Sequence, residues 1–126
     1  MRTAAIQLIV GVCNEKLTKI RGIQFLRQGG RCYYCRHPMW SNGLEAFAQK
    51  YQISIRQARH FKATAEHLLP RSKGGRDREA NIAAACQYCN SRRHRSRFTL
   101  TPDAYRKKVI NRVARGRWHC VRFAFA

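Results

Sequence analysis

Acidic residues are scarce in this sequence. Its 126 residues carry 6 Asp and Glu against 26 Lys and Arg, a formal charge of +20 with a pI near 11.1. A field of one sign on that scale repels itself in the folded state, so it points to a polyanionic partner. Nucleic acid fits best, because neutralising phosphates releases counterions and drives binding without sequence preference. No stretch reaches the ~20 apolar residues of a membrane span. Nor does any basic helix with a broad apolar face stand out, which argues against an anionic membrane surface as the partner. Internal repeats, low-complexity tracts and linkers are also missing. What is present reads as one domain over residues 1–126, with a modest core. Hydrophobic residues at 44% and charged residues at 25% are ordinary for a folded chain, and a cytoplasmic setting is expected.

The N-terminal run "AAIQLIVGVC" is short and apolar. Gln7 interrupts it, only Arg2 precedes it, and no small-x-small site follows, so a signal peptide is disfavoured. A buried strand carrying Ile6, Ile9 and Val10, or else a short helix, is the expectation, followed by a basic segment to residue 28. Residues 44–61 have helical periodicity with a break near Gln52–Ser54. They read as two helices and a turn, an insertion packed on its neighbours, with Ser54 as N-cap. Next come a short strand in "KATAEHL", a loop in "LPRSKGGRDRE", a second strand in "ANIAAAC" and a basic helix in "CQYCNSRRHRSRF". Thr101-Pro102-Asp103 starts another helix, running to about Arg115 and stopping at Gly116, and "RWHCVRFAF" alternates as a final strand.

Six cysteines could mean disulfides or metal. Cys32-x-x-Cys35 and Cys86-x-x-Cys89 are two chelating pairs, whereas Cys13 and Cys120 stand alone. Two C-x-x-C turns complete the tetrahedron zinc prefers, and four thiolates leave no open position for water, so this zinc is structural. A thioredoxin-like role for Cys32-Tyr33-Tyr34-Cys35 lacks its βαβ context.

A strand-loop-strand-helix unit folds its helix back over its strands. Asn90 and His94, four residues apart, share a helical face. Glu66 at a strand end can bring a carboxylate oxygen to the same point. One carboxylate, one amide oxygen and an optional imidazole form an incomplete shell, suited to Mg²⁺ or Mn²⁺ recruited with a phosphodiester. His67 belongs to a residue type whose neutral form can take a proton from water near pH 7.

The series "CYYC … TAEHLLPRSKGG … NIAAACQYCN" with the following "RH" resembles the HNH endonuclease family over roughly residues 30–97. The resemblance implies an α+β fold: a small ββα-metal core stapled by a four-cysteine zinc site, with flanking helices and a basic C-terminal helix and strand over about 101–125. It implies His67 as general base and Glu66 and Asn90 as ligands of the catalytic metal. His94 is a further ligand or a phosphate contact. Asn81 would tie the loop back and orient the base. DNA would be the substrate, cut to 5′-phosphate and 3′-hydroxyl ends. Arg71, Lys73, Arg76, Arg92, Arg93 and Arg95 would hold its backbone by charge. Glu66 departs from the commoner Asp or His, and its longer arm would hold a metal less rigidly. One active site per chain leaves monomer and homodimer both open. The alternative is a non-catalytic, zinc-stapled nucleic-acid-binding protein, for which the charge alone would suffice; it has no need of the Glu66, His67 and Asn90 set.

Overall fold

A computed structural model describes residues 2–123, with side chains from Glu15 onward. Helix α1 spans Arg2–Arg27, α2 Leu44–Tyr51, α3 Ile55–Arg59, α4 Gln87–Arg95 and α5 Pro102–Ala114. Strands β1 (Ala63–His67) and β2 (Ile82–Cys86) pair antiparallel, from Ala63 opposite Cys86 to His67 opposite Ile82. The class is α+β, as expected.

Two expectations fail at the ends. The N-terminal run is not a strand but the first half of the long helix α1. The two-stranded sheet offers it no place, because α1 packs across the sheet instead. Gln28, just past the helix, takes the place of a third strand: its Oε1 accepts from Ala84 N at 3.0 Å and its Nε2 donates to Ala84 O at 2.8 Å. A peptide-like side chain thus satisfies backbone groups that a neighbouring strand would otherwise pair. The C-terminal alternation is no strand over residues 117–123 either, and the last part of that expectation lies outside the described residues. Trp118 and Val121 are buried as wedges in an irregular tail.

Other local readings hold. Ser54 caps α3 through a reciprocal box with Gln57. Gln52 ends α2 in the left-handed region at φ 53, where glycine is usual. Thr101 caps α5 by accepting from Ala104 N, with Pro102 in the first helical turn. The α2–α3 hairpin buries Phe47, Ala48 and Ala58 in one cluster with Phe61, Tyr34 and the paired cysteines.

Candidate active site

The four paired cysteines come from three places: Cys32 and Cys35 from a turn after α1, Cys86 from the end of β2, and Cys89 from the first turn of α4. All are buried, and their sulfurs lie within 4.8 Å of one another. Cys35 Sγ and Cys86 Sγ are 3.9 Å apart. A disulfide needs about 2.05 Å, whereas sulfurs ~2.3 Å from a tetrahedral zinc sit about 3.8 Å apart. N–H groups also point at the sulfurs. Tyr34 N and Cys86 N donate to Cys32 Sγ at 3.4 and 3.3 Å, and Trp118 Nε1 donates to Cys89 Sγ at 3.2 Å. Such donors favour thiolates. Burial pushes the Cys86 and Cys89 thiols well above their ordinary range, while hydrogen bonds from Cys32, then from Cys86 and Cys89, hold Cys35 far below it. A cation among the four buried sulfurs would offset that burial and hold all of them as thiolates. The cluster therefore fits a structural metal such as zinc.

The second site forms between β1 and α4. Alternate residues of β1, Thr64 and Glu66, face successive turns of the helix. Asn90 Nδ2 donates to Thr64 Oγ1 at 3.0 Å and to Ala65 O at 3.3 Å, and His94 Nε2 lies 2.7 Å from Glu66 Oε1. Four helical residues rise ~6 Å and two strand residues ~6.6 Å, so the two periods run in step here. Cys86, at the helix N-cap, and Cys89 anchor this helix to the metal cluster.

Glu66 has no exposed surface. Its Oε2 accepts from Tyr34 OH at 3.0 Å and pairs with Arg93 Nη1 at 3.3 Å. Burial first, and then the Glu66 charge, push the Tyr34 hydroxyl well above its usual range, so it stays a donor. Only Oε1 is directed to His94 and the cleft beyond. Ala65, Glu66, His67, Arg71, Asn90 and His94 line this open cleft.

His67 sits at the rim, its Nε2 2.7 Å from Asp77 Oδ1 and 3.1 Å from the Arg71 Nε donor. Arg71 Nη2 also donates to both Asp77 oxygens, at 3.1 and 3.0 Å. The His67 contact first, then Arg71, hold the Asp77 carboxyl below the usual carboxylate range. The loop carrying these groups is stitched by Asn81, whose Oδ1 accepts from Leu69 N at 2.8 Å. Its Nδ2 donates to Leu69 O and Arg76 O at 3.1 and 3.0 Å. At Gly75 a Cβ would lie 1.7 Å from Leu69 O and 2.9 Å from Asn81 Nδ2, so only glycine lets the loop close this tightly.

The family model described as HNH endonuclease matches residues 56–96, which hold both strands, the loop and α4. Over these residues the chain is similar to the HNH family. No curated protein and no solved structure matches the chain.

The matched segment brings Glu66, His67, Asn90 and His94 to one cleft and places Asn81 behind it, in the loop. Arg71 lines the cleft, and Lys73, Arg76 and Arg95 are exposed. Arg92 lies over the Tyr88 ring at 3.3 Å from its centroid. Arg93 is not the surface phosphate contact its position in the basic helix implied. It is 2% exposed, and beyond Glu66 it donates to His67 O at 3.0 Å and to Leu68 O at 2.9 Å, with further bonds to Leu100 O. It struts the end of β1 from within.

Sequence reasoning missed Asp77 and Tyr34. Asp77 did leave a signal: three of the six acids, Glu66, Asp77 and Glu79, fall within a short stretch of a very basic chain. Tyr34 left none, because a tyrosine inside a C-x-x-C turn reads as packing.

Proposed function

We propose that this protein is a metal-dependent endonuclease that hydrolyses DNA phosphodiester bonds. The observation that carries this reading is the convergence of Glu66 and His67 from a strand end with Asn90 and His94 from α4 on one open cleft. A purely binding protein has no use for a buried carboxylate with one oxygen turned to such a cleft.

The donors fit a divalent cation. Glu66 Oε1 and His94 Nε2 lie within 2.7 Å of each other, and the Asn90 amide nitrogen is spent on β1, which leaves its Oδ1 for a ligand. A carboxylate oxygen, an amide oxygen and one imidazole form an open shell that suits Mg²⁺ or Mn²⁺, with remaining positions for water and phosphate. Such an ion supplies Lewis-acid stabilisation of charge developing on the phosphoryl oxygens. The residues of the chain do the rest. Asp77 Oδ1 and Arg71 Nε both meet His67 at Nε2 and hold its ring in place, which leaves Nδ1 as the nitrogen to act as base. His67 then removes a proton from water, the resulting hydroxide attacks phosphorus in line, and the 3′ oxygen departs, leaving a 5′-phosphate. Arg71, Lys73, Arg76 and Arg95 meet the DNA backbone.

Incubation of supercoiled plasmid with the protein tests this reading. Cutting is expected with Mg²⁺ or Mn²⁺ and not without, and His67→Ala loses at least ~100-fold, the lower end of general-base contributions. Metal-independent cutting, or a His67→Ala variant as active as wild type, overturns the mechanism. No cutting under any metal, with salt-sensitive binding, favours the non-catalytic alternative.

A further inference from the structure

Helix α5 lies beyond the matched HNH residues and carries a cationic surface that the catalytic cleft does not use. Tyr105 and Val109 are buried in the same core as the cysteines, which fixes the opposite side of the helix outward. There Lys107, Lys108, Asn111, Arg112 and Arg115 line a single cleft with Arg117 from the following turn. That turn is well defined. Gly116 adopts φ +66, its N–H donates to Val113 O at 3.0 Å, and Arg117 N donates to Arg112 O at 2.8 Å, folding Arg117 back beside the helix.

No carboxylate lines this cleft. The six acids of the chain are placed elsewhere. Glu66 and Asp77 serve the matched segment, and Glu79 pairs with Arg27. Glu15 is on α1, Glu45 on α2, and Asp103 in the first turn of α5. The helix macrodipole favours cations only over its last turn, by ~0.3–1 kcal/mol each. Lys107 and Lys108 lie well before that turn, and only Lys107 has an acid at helical spacing, Asp103 four residues before it, so helix stability does not explain Lys108. Five cations gathered without an acid repel one another and call for an external anion.

The residue chemistry narrows what that anion is. Lysine and arginine with one amide address phosphates rather than base edges. No exposed aromatic lines the cleft, so it lacks the stacking platform that single strands use. From Lys107 to Arg115 the helix rises ~12 Å, a length over which a duplex presents about seven phosphates. We infer that this α5 cleft is a second binding site for the phosphate backbone of duplex DNA, separate from the catalytic cleft. It rests on the endonuclease reading only for the choice of DNA, and it lengthens the footprint of a small domain that has one active site.

The test is binding of fluorescent duplex DNA by anisotropy across a salt series without added divalent cation, so nothing is cut. In the variant Lys107→Gln/Lys108→Gln/Arg112→Gln/Arg115→Gln, the slope of log K against log salt is expected to flatten by ~4, one per lost phosphate contact. Affinity should fall roughly tenfold or more, with zinc content and far-ultraviolet circular dichroism unchanged. The control Lys16→Gln/Lys19→Gln/Lys50→Gln/Arg122→Gln removes equal charge from exposed positions elsewhere. An unchanged slope in the α5 variant, or an equal flattening in the control, overturns the site. A flattening seen with duplex RNA but not with duplex DNA overturns the choice of DNA. Because cleavage is read separately, failure of the endonuclease reading and failure of this site are distinguishable.

Discussion

The Glu66 carboxylate is buried, and its charge is met by Tyr34, Arg93 and His94. Removing Arg93 leaves that charge buried with too few donors and strips Leu68 and Leu100 of theirs. Breaking one side of a buried pair costs about 3–5 kcal/mol, so Arg93→Leu should lower the unfolding free energy by that much in urea denaturation. Arg95→Leu, at an exposed position of the same helix, should change it by less than about 0.5 kcal/mol. Equal, small effects at both would show that Arg93 is not a strut. Asp77 gives a pH signature. Its carboxyl is held below the usual range in the folded state, by His67 first and Arg71 second. The stabilisation is therefore complete above the unfolded carboxyl value and disappears as pH falls through the folded one. Amide exchange at Leu69 and Gly75 should accelerate through that acid window beyond its intrinsic pH dependence, and Asp77→Asn should remove the excess. The same acid window in the variant would place the titrating group elsewhere.

The loop from Leu68 to Asn81 is the element on which the base depends. Gly75→Ala puts a methyl into Leu69 O, so the loop must open and carry Asp77 and Arg71 with it. Misplacing a positioning group by about 1 Å costs roughly 100-fold, and plasmid cutting by Gly75→Ala should fall on that scale with zinc content unchanged. Wild-type cutting would show that loop closure does not position His67. This loop also shows what was legible beforehand. Its Gly-Gly, Asn81 and the i, i+4 spacing of Asn90 and His94 are local signals, and they placed the strands and the helix correctly. The cysteine spacing likewise announced the metal cluster. Long-range packing left no such trace. The stretch Ile6–Val10 reads equally well as strand or helix by apolar content, and it forms part of α1. Arg93 sits among arginines that face solvent, and nothing in its neighbours distinguishes the one turned inward. Trp118 and Val121 lie in a stretch that reads as a strand, yet they are fillers of a core that the rest of the chain leaves open.

At the scale of the whole molecule, the cysteine cluster is where otherwise separate parts meet. It joins the turn after α1, the end of β2 and the start of α4. The outer layers rest on it too, since Tyr105 OH of α5 donates to Cys89 O at 2.7 Å and Trp118 of the tail donates to Cys89 Sγ. Structural zinc contributes an apparent ~10–16 kcal/mol, comparable to the entire ~5–15 kcal/mol stability of an ordinary domain. Here the balance is less favourable still, because a net charge of +20 opposes compaction. The metal-free chain should therefore not fold. Purified protein should contain a single tightly held zinc ion. Chelation should abolish the cooperative thermal transition and shift Trp fluorescence to the red as Trp118, now 8% exposed, meets water. Readded zinc should restore both. Cys32→Ser should behave as the chelated protein does, whereas Cys120→Ser, at an exposed free cysteine, should melt as wild type. A metal-free chain with native circular dichroism and an unchanged melt would mean that the hydrophobic cluster around Tyr34, Phe61 and Val109 holds the fold alone, and that the four sulfurs are not its keystone.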